Sequence, residues 1–176
     1  ELLMSSFNSS DHVIEIIANL PNCSEATMES ARERQAKLTK PPGSLGKLED
    51  IAVWLAGWQG TEKPQINNGQ CLIFAGNHGV VAKGVSPFPA EVTTQMVRNF
   101  ESGGAAINQL CREAGLSLVV TPLQLNVPTG DISEGMAMTP DEVIAAMNTG
   151  ANALDRSCDY LVVGEMGIGN TTAAAA

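Results

Sequence analysis

Aromatic side chains are scarce: Phe, Trp and Tyr make up 4% of the 176 residues. Stacking platforms of the kind that grip single-stranded nucleic acid are therefore not expected. Positive charge is also in short supply, with 10 Lys and Arg against 19 Asp and Glu and a formal net charge of −9. Such a chain is a poor candidate for binding nucleic acid or an anionic membrane. Backbone amides can still bind a phosphate without a basic surface. No apolar run approaches the roughly 20 residues that a membrane span needs. Residues 1–10 have neither the basic start nor the apolar stretch of a secretory leader. The four cysteines, Cys23, Cys71, Cys111 and Cys158, form no C-x-x-C pair and have no histidine cluster beside them. No metal site is expected. Cys71 and Cys111 lie in apolar surroundings and read as small buried hydrophobes. Reduced thiols point to a cytoplasmic protein.

What is present is enough apolar material, 44% of the chain, for one ordinary domain with a core. The first part reads as helical. Asp11 can cap a segment with Val13, Ile14, Ile16, Ile17 and Leu20 on a stripe, ended by Pro21. Ser24 can cap a second, charge-rich segment that runs to about Leu38. Lys40-Pro41-Pro42-Gly43-Ser44 is a rigid turn. Ser44 can cap a third segment with Leu45, Leu48, Ala52 and Leu55 on one face and Gly57 as its stop. Residues 59–70 are polar and read as a connection.

The pattern then changes. Cys71–Ala75, Leu116–Val120 and Tyr160–Val163 are short, continuous apolar runs, which suit strands buried on both faces of a parallel sheet. Helical patterns lie between them: one from Pro89 with Val92, Met96 and Phe100, one over Ala105–Ala114, and one opened by the capping box Thr139-Pro140-Asp141-Glu142. The order β-α-β-α-β implies right-handed crossovers. The expectation is an α/β fold, an open parallel sheet with flanking helices in a Rossmann-like three-layer arrangement. A helical region over residues 1–58 precedes it, 59–70 connects, and 71–176 forms the α/β core.

In open α/β sheets, ligands bind outside the carboxyl ends of the strands. Three loops qualify, after Ala75, Val120 and Val163. The third runs Gly164-Glu165-Met166-Gly167-Ile168-Gly169-Asn170-Thr171-Thr172. Its glycines and the exposed amides before an alanine helix can make an anion site with the Thr hydroxyls as extra donors. The same glycines can equally serve to pack a helix onto a sheet. The P-loop lysine is absent, and the third glycine of a dinucleotide fingerprint is replaced by Thr172. Glu165 can orient a ribose hydroxyl or tune a proton transfer, or it can cap the helix that follows. His78 can act as a general acid or base, or hold its loop through the ring nitrogens. Phe88, Pro89 and Met96 can form a wall for a flat aromatic ligand, or be plain core.

Four motifs in order resemble the nicotinate-nucleotide–dimethylbenzimidazole phosphoribosyltransferase family: Lys40-Pro41-Pro42-Gly43-Ser44-Leu45-Gly46-Lys47-Leu48-Glu49, Phe74-Ala75-Gly76-Asn77-His78-Gly79-Val80, the stretch from Glu91-Val92-Thr93 through Gly103-Gly104-Ala105-Ala106-Ile107, and Gly164–Thr172. The resemblance runs from about Lys40 to Ala176. It implies phosphoribosyl transfer from nicotinate mononucleotide to 5,6-dimethylbenzimidazole, giving α-ribazole 5′-phosphate and nicotinate in assembly of the cobalamin lower-ligand nucleotide. It implies no cofactor, small-molecule substrates only, and a homodimer. For that reaction the sequence offers a phosphate and ribose anchor at Gly167, Ile168, Gly169, Asn170, Thr171 and Thr172, a base pocket at Phe88, Pro89, Met96 and His78, and a supporting acid at Glu165. Family chains are about twice this long. Their general-base glutamate and a lysine that reaches the phosphate lie in the carboxyl-terminal half, so this chain alone is expected to show little or no turnover. Asn77 stands where many relatives have Asp, and the loop Thr121–Asn126 lacks an acid that others carry. Two rival expectations are a half-length relative that binds a nucleotide or a partner without turnover, and an unrelated doubly wound oxidoreductase.

Overall fold

A computed structural model describes residues 6–176. The chain divides into two compact units: Ile16–Asn67, and the residues up to Glu15 together with Asn68–Ala176. Across them, helix α1 spans Ser10–Ala18, α2 Glu25–Lys37 and α3 Lys47–Gln59. Strand β1 spans Gly69–Ala75, followed by a 3-10 turn over Gly79–Lys83, α4 over Glu91–Glu101 and α5 over Ala106–Ala114. Strand β2 spans Ser117–Pro122, α6 Pro140–Ala153, β3 Tyr160–Met166 and α7 Asn170–Ala175. No helix among the described residues is long and apolar enough to cross a membrane.

In the helical unit, α2 starts where expected. Ser24 caps it by accepting from the Thr27 amide. The start of α1, which belongs to the other unit, differs from expectation, since Ser9 rather than Asp11 takes the capping contact by accepting from the His12 amide at 3.1 Å. The start and stop of α3 differ too. Its first residues follow Gly46, at φ 54°, and its last turn closes on Gly60 in the left-handed region. Ser44 makes no cap. Instead the Glu49 carboxylate reaches back to the Leu45 amide at 3.1 Å and to Lys40 Nζ at 2.6 Å, closing the Lys40–Glu49 loop from inside. These contacts, the Lys40 hydrogen bond first, hold the Glu49 carboxyl below its ordinary range.

Gly57 lies inside α3 and is buried there. A Cβ on it would stand 2.6 Å from Met28 Cγ, so a side chain would push α2 and α3 apart. The core of this unit is Ala31, Val53 and Ala56 with Met28 against them. Of the Leu45, Leu48, Ala52 and Leu55 face, Leu45 and Leu48 are exposed while Ala52 and Leu55 are half-buried, and Ile51, Trp54 and Trp58 are exposed as well. α3 is apolar on two sides, and the side with the smallest side chains wins the close approach to α2.

In the α/β unit the sheet has the order β2-β1-β3, and both pairings are parallel. β1 is buried along nearly its whole length. One sheet face, with Cys71 and Ile73 from β1, Leu118 and Val120 from β2, and Val162 and Met166 from β3, packs with Cys111, Phe100 and Ile107 from α4 and α5. Burying a side chain of this size is worth about 1.5–3 kcal/mol. The Cys71 thiol is pushed up to about 11 by burial and then by its neighbour Cys111, which leaves it protonated and unreactive. β2 and β3 depart from the expectation of strands buried on both sides. They alternate, and Val119, Leu161 and Val163 are exposed. The exposed residues of β3 lie on the face opposite Cys71 and Ile73, which is covered at the central strand and left open at the edge strand.

On the other face, buried Gln70 holds the end of α6. Its Nε2 donates to the Ala153 carbonyl at 3.2 Å, and its Oε1 accepts from the Asp155 amide at 2.9 Å. The start of α6 is the expected capping box: the Thr139 hydroxyl accepts from the Glu142 amide, and the Glu142 carboxylate accepts from the Thr139 amide. Replacing Gln70 by methionine keeps the volume and strands both backbone groups. Gln70→Met is expected to lower stability by about 1–3 kcal/mol in urea unfolding.

Hydrogen bonds from the Thr139 amide and then its hydroxyl hold the Glu142 carboxyl below its ordinary value of 4.5. A lowered folded value adds stability that is complete above the unfolded value and is lost as pH falls through the folded one. Glu142→Gln keeps an acceptor and removes the titration. Its urea midpoint is expected to fall less than that of the wild type between about pH 6 and about pH 3.

Candidate functional site

Parallel pairing brings the carboxyl ends of all three strands to one edge, where Pro122, Ala75 and Met166 stand in register. The three loops that follow are joined through their backbones. The Gly76 amide donates to the Met166 carbonyl at 3.0 Å, and the Leu123 amide to the Ala75 carbonyl at 2.8 Å. The Thr129 amide donates to the Asn77 carbonyl at 3.1 Å, and the Gly79 amide returns to the Thr129 carbonyl at 2.9 Å. Asn77 Nδ2 adds a bond to the Leu125 carbonyl at 2.9 Å. Lys83 then ties the 3-10 turn to Glu134 and Asp131 of the long loop. The loops after β1, β2 and β3 thus meet at one place.

The loop after β3 is set by tight approach. A Cβ on Gly167 would lie 2.1 Å from the Gly76 carbonyl oxygen, and Gly169, at φ 88°, would meet Val81 Cγ2 at 2.7 Å. What these glycines come close to is other protein, so they serve packing whatever else the loop does. The His78 ring supplies the next constraint. Its Nε2 donates to Asn170 Oδ1, which joins the β1 loop to the first residue of α7. The ring therefore holds the loop, one of the two roles open to it from the sequence.

The amides of the loop divide into two groups. Asn170 N donates to the Gly167 carbonyl and Thr172 N to the Gly169 carbonyl. Ile168 N donates to Thr93 Oγ1 at 3.1 Å. The amides of Gly167, Gly169 and Thr171 have no partner among the described residues, nor do the hydroxyls of Thr171 and Thr172; Gly169 is buried and Thr171 exposed. Unpaired donors on a short stretch of loop can take up an anion where they open to it.

Glu165 lies within β3 rather than after it, in register with Phe74 and Thr121. It is exposed, and no hydrogen bond or ion pair engages its side chain among the described residues. It does not cap the following helix, whose first residues have no side-chain cap. Phe88 and Pro89 are exposed, with Phe88 at 59%, so they are not core; Met96 is half-buried on α4. Among the described residues, no group of three His, Cys, Asp or Glu side chains is placed to hold a metal ion.

Sequence reasoning missed two residues here. Thr93 is fully buried, and its hydroxyl reaches the third loop from α4. A threonine on the otherwise apolar Thr93–Val97 face was the available signal, because a buried hydroxyl needs a partner. The other is the Asn77 carboxamide, which is 8% exposed and bridges to the second loop.

A parallel α/β sheet with glycine-rich loops meeting at its carboxyl edge defines the class: an open α/β protein whose loops converge where such folds bind ligands. A family model described as phosphoribosyltransferase matches residues 20–176, and the chain belongs to that family. Two curated relatives are both named nicotinate-nucleotide–dimethylbenzimidazole phosphoribosyltransferase. The one from Ruegeria pomeroyi is 56% identical over 162 residues, covering 92% of this chain and 48% of the relative. The one from Roseobacter denitrificans is 51% identical over 174 residues, covering 99% and 52%. A crystal structure of the like-named enzyme from Thermus thermophilus matches with a TM-score of 0.77 and 40% identity, over 86% of this chain and 52% of that one. The chain spans about half the length of the curated relatives it matches.

The backbone conflict at Gly167 makes a direct test. Gly167→Ala is expected to cost about 1–3 kcal/mol in urea unfolding through overpacking. Thr171→Ala, at an exposed position, is expected to leave the unfolding midpoint unchanged.

Proposed function

We propose that this chain supplies the nucleotide-binding part of an enzyme that transfers phosphoribose from nicotinate mononucleotide to 5,6-dimethylbenzimidazole. The products are α-ribazole 5′-phosphate, the lower-ligand nucleotide of cobalamin, and nicotinate. The observation that carries the reading is the family match over residues 20–176, together with the position of Gly164–Thr172 where the three loops meet. In this reading the 5′-phosphate takes the free amides of Gly169 and Thr171 and the hydroxyls of Thr171 and Thr172. Gly167, Ile168 and Asn170 shape the loop. Phe88, Pro89 and Met96 form the wall for the flat base, with His78 at its border.

The chemistry asks for little covalent work from the protein. The azole nitrogen attacks the ribose C1′ and the bond from C1′ to the pyridinium nitrogen breaks. Nicotinate leaves with that electron pair as a neutral ring nitrogen, and the anomeric centre inverts. The azole proton must go to a base. Holding both rings in line with C1′ supplies most of the help that such a reaction needs, and a placed carboxylate supplies the rest. Glu165, exposed and without a partner, is the supporting acid, able to orient a ribose hydroxyl. The resemblance puts the main general base outside the matched half, so this chain alone binds the nucleotide with little or no turnover. The whole protein would work as a homodimer in the cytoplasm on these two small molecules, without nucleic acid or membrane. The acidic charge and the free cysteines support that setting.

Isothermal titration of the chain with nicotinate mononucleotide and with nicotinate riboside tests the phosphate site. The mononucleotide is expected to bind at least about tenfold more tightly, the effect of one or two charge-assisted hydrogen bonds. Equal affinities would remove the basis for this reading. In an α-ribazole phosphate assay, the chain is expected to turn over far more slowly than a full-length relative.

A further inference from the structure

Thr93 stands in α4, three residues before Met96, and none of its surface is exposed. Its Oγ1 accepts from the amide of Ile168, 75 residues further along the chain, at 3.1 Å. This bond does two things. It turns the Ile168 N–H into the protein, while the neighbouring amides of Gly169 and Thr171 stay without partners among the described residues. It also fastens the helix that carries Met96, and that follows Phe88 and Pro89, to the loop after β3.

We propose that Thr93 is a positioning residue: it holds the Gly167–Thr172 loop in the shape that receives a ribonucleotide 5′-phosphate, in register with the apolar wall on α4. The geometry supports a role beyond folding. The hydroxyl engages the loop at one amide, between the unpaired Gly167 and Gly169 amides, rather than at a regular helix or strand bond. Without that acceptor the part-buried Ile168 amide would be unpaired, and the loop would relieve this by rotating the peptide between Gly167 and Ile168, whose carbonyl accepts from the Asn170 amide. Such a rotation moves the adjacent donors and leaves the apolar wall where it is. Thr93 therefore acts on the phosphate, through the loop, and does not touch the substrate. The proposal rests on the phosphate reading given above.

The experiment compares the chain with Thr93→Val and Thr93→Ser, each titrated with nicotinate mononucleotide and with nicotinate riboside. Valine keeps the shape and loses the acceptor; serine keeps the hydroxyl. Thr93→Val is expected to weaken mononucleotide binding about tenfold, the effect of one lost hydrogen bond with its partner left buried. Riboside binding stays within about twofold, and Thr93→Ser binds like the wild type. Unchanged mononucleotide affinity in Thr93→Val, or an equal loss for both ligands, overturns the role of Thr93. A wild-type chain without preference for the mononucleotide overturns the phosphate reading itself, and the proposal with it. If the valine variant does not fold, amide hydrogen exchange in the wild type decides. Ile168 should exchange slowly beside fast, exposed Thr171, and fast exchange at Ile168 overturns the proposal.

Discussion

β1 is hydrogen-bonded along both edges, to β2 over Gln70–Ala75 and to β3 over Gly69–Ala75. It has no water to turn to, so every backbone group in it must be met by a neighbouring strand. That requirement fixes the register of all three strands, and the register places Ala75, Pro122 and Met166 side by side. The loops that leave those residues then have no choice but to meet. The Gly76 and Leu123 amides continue the same ladder past the strand ends. The crevice is thus an extension of the sheet's hydrogen bonding and not a separate construction.

Buried polar side chains do the joining where backbone ladders stop. Gln70 closes the end of α6, Asn77 reaches the loop after β2, and Thr93 reaches the loop after β3. Each would be costly without its partner, and each partner lies far along the chain. Asn77 Oδ1 is left without one among the described residues. An amide at this position donates to the Leu125 carbonyl, which an ionised aspartate has no proton to do. The presence of Asn77 and the course of the loop above it are therefore linked.

The excess of acid is used locally. Glu49 closes the Lys40–Glu49 loop, Glu142 completes the cap of α6, and Asp131 and Asp155 accept from the amide and hydroxyl two residues on. Hydrogen bonds keep all four below their ordinary range. An acidic chain can then present donors to a phosphate at one place, because those donors are backbone amides and hydroxyls that need no basic side chain.

The sequence by itself determined the elements. Short apolar runs became strands, Ser24 and Thr139 became caps, and the Gly164–Thr172 motif pointed to the loop and the family, because these signals are local and depend on neighbours within a few residues. It misjudged α3, where Gly57 reads as a stop but is a contact against Met28, since a glycine's meaning depends on what lies opposite. It read all three strands as doubly buried, because apolar content cannot reveal which faces of which strands the rest of the chain covers. Only the tertiary structure decided that His78 holds Asn170, that the Ile168 amide turns inward to Thr93, and that Glu165 stands free. Each of these is a choice between partners tens of residues away, and such a choice exists only once the strands have taken their order.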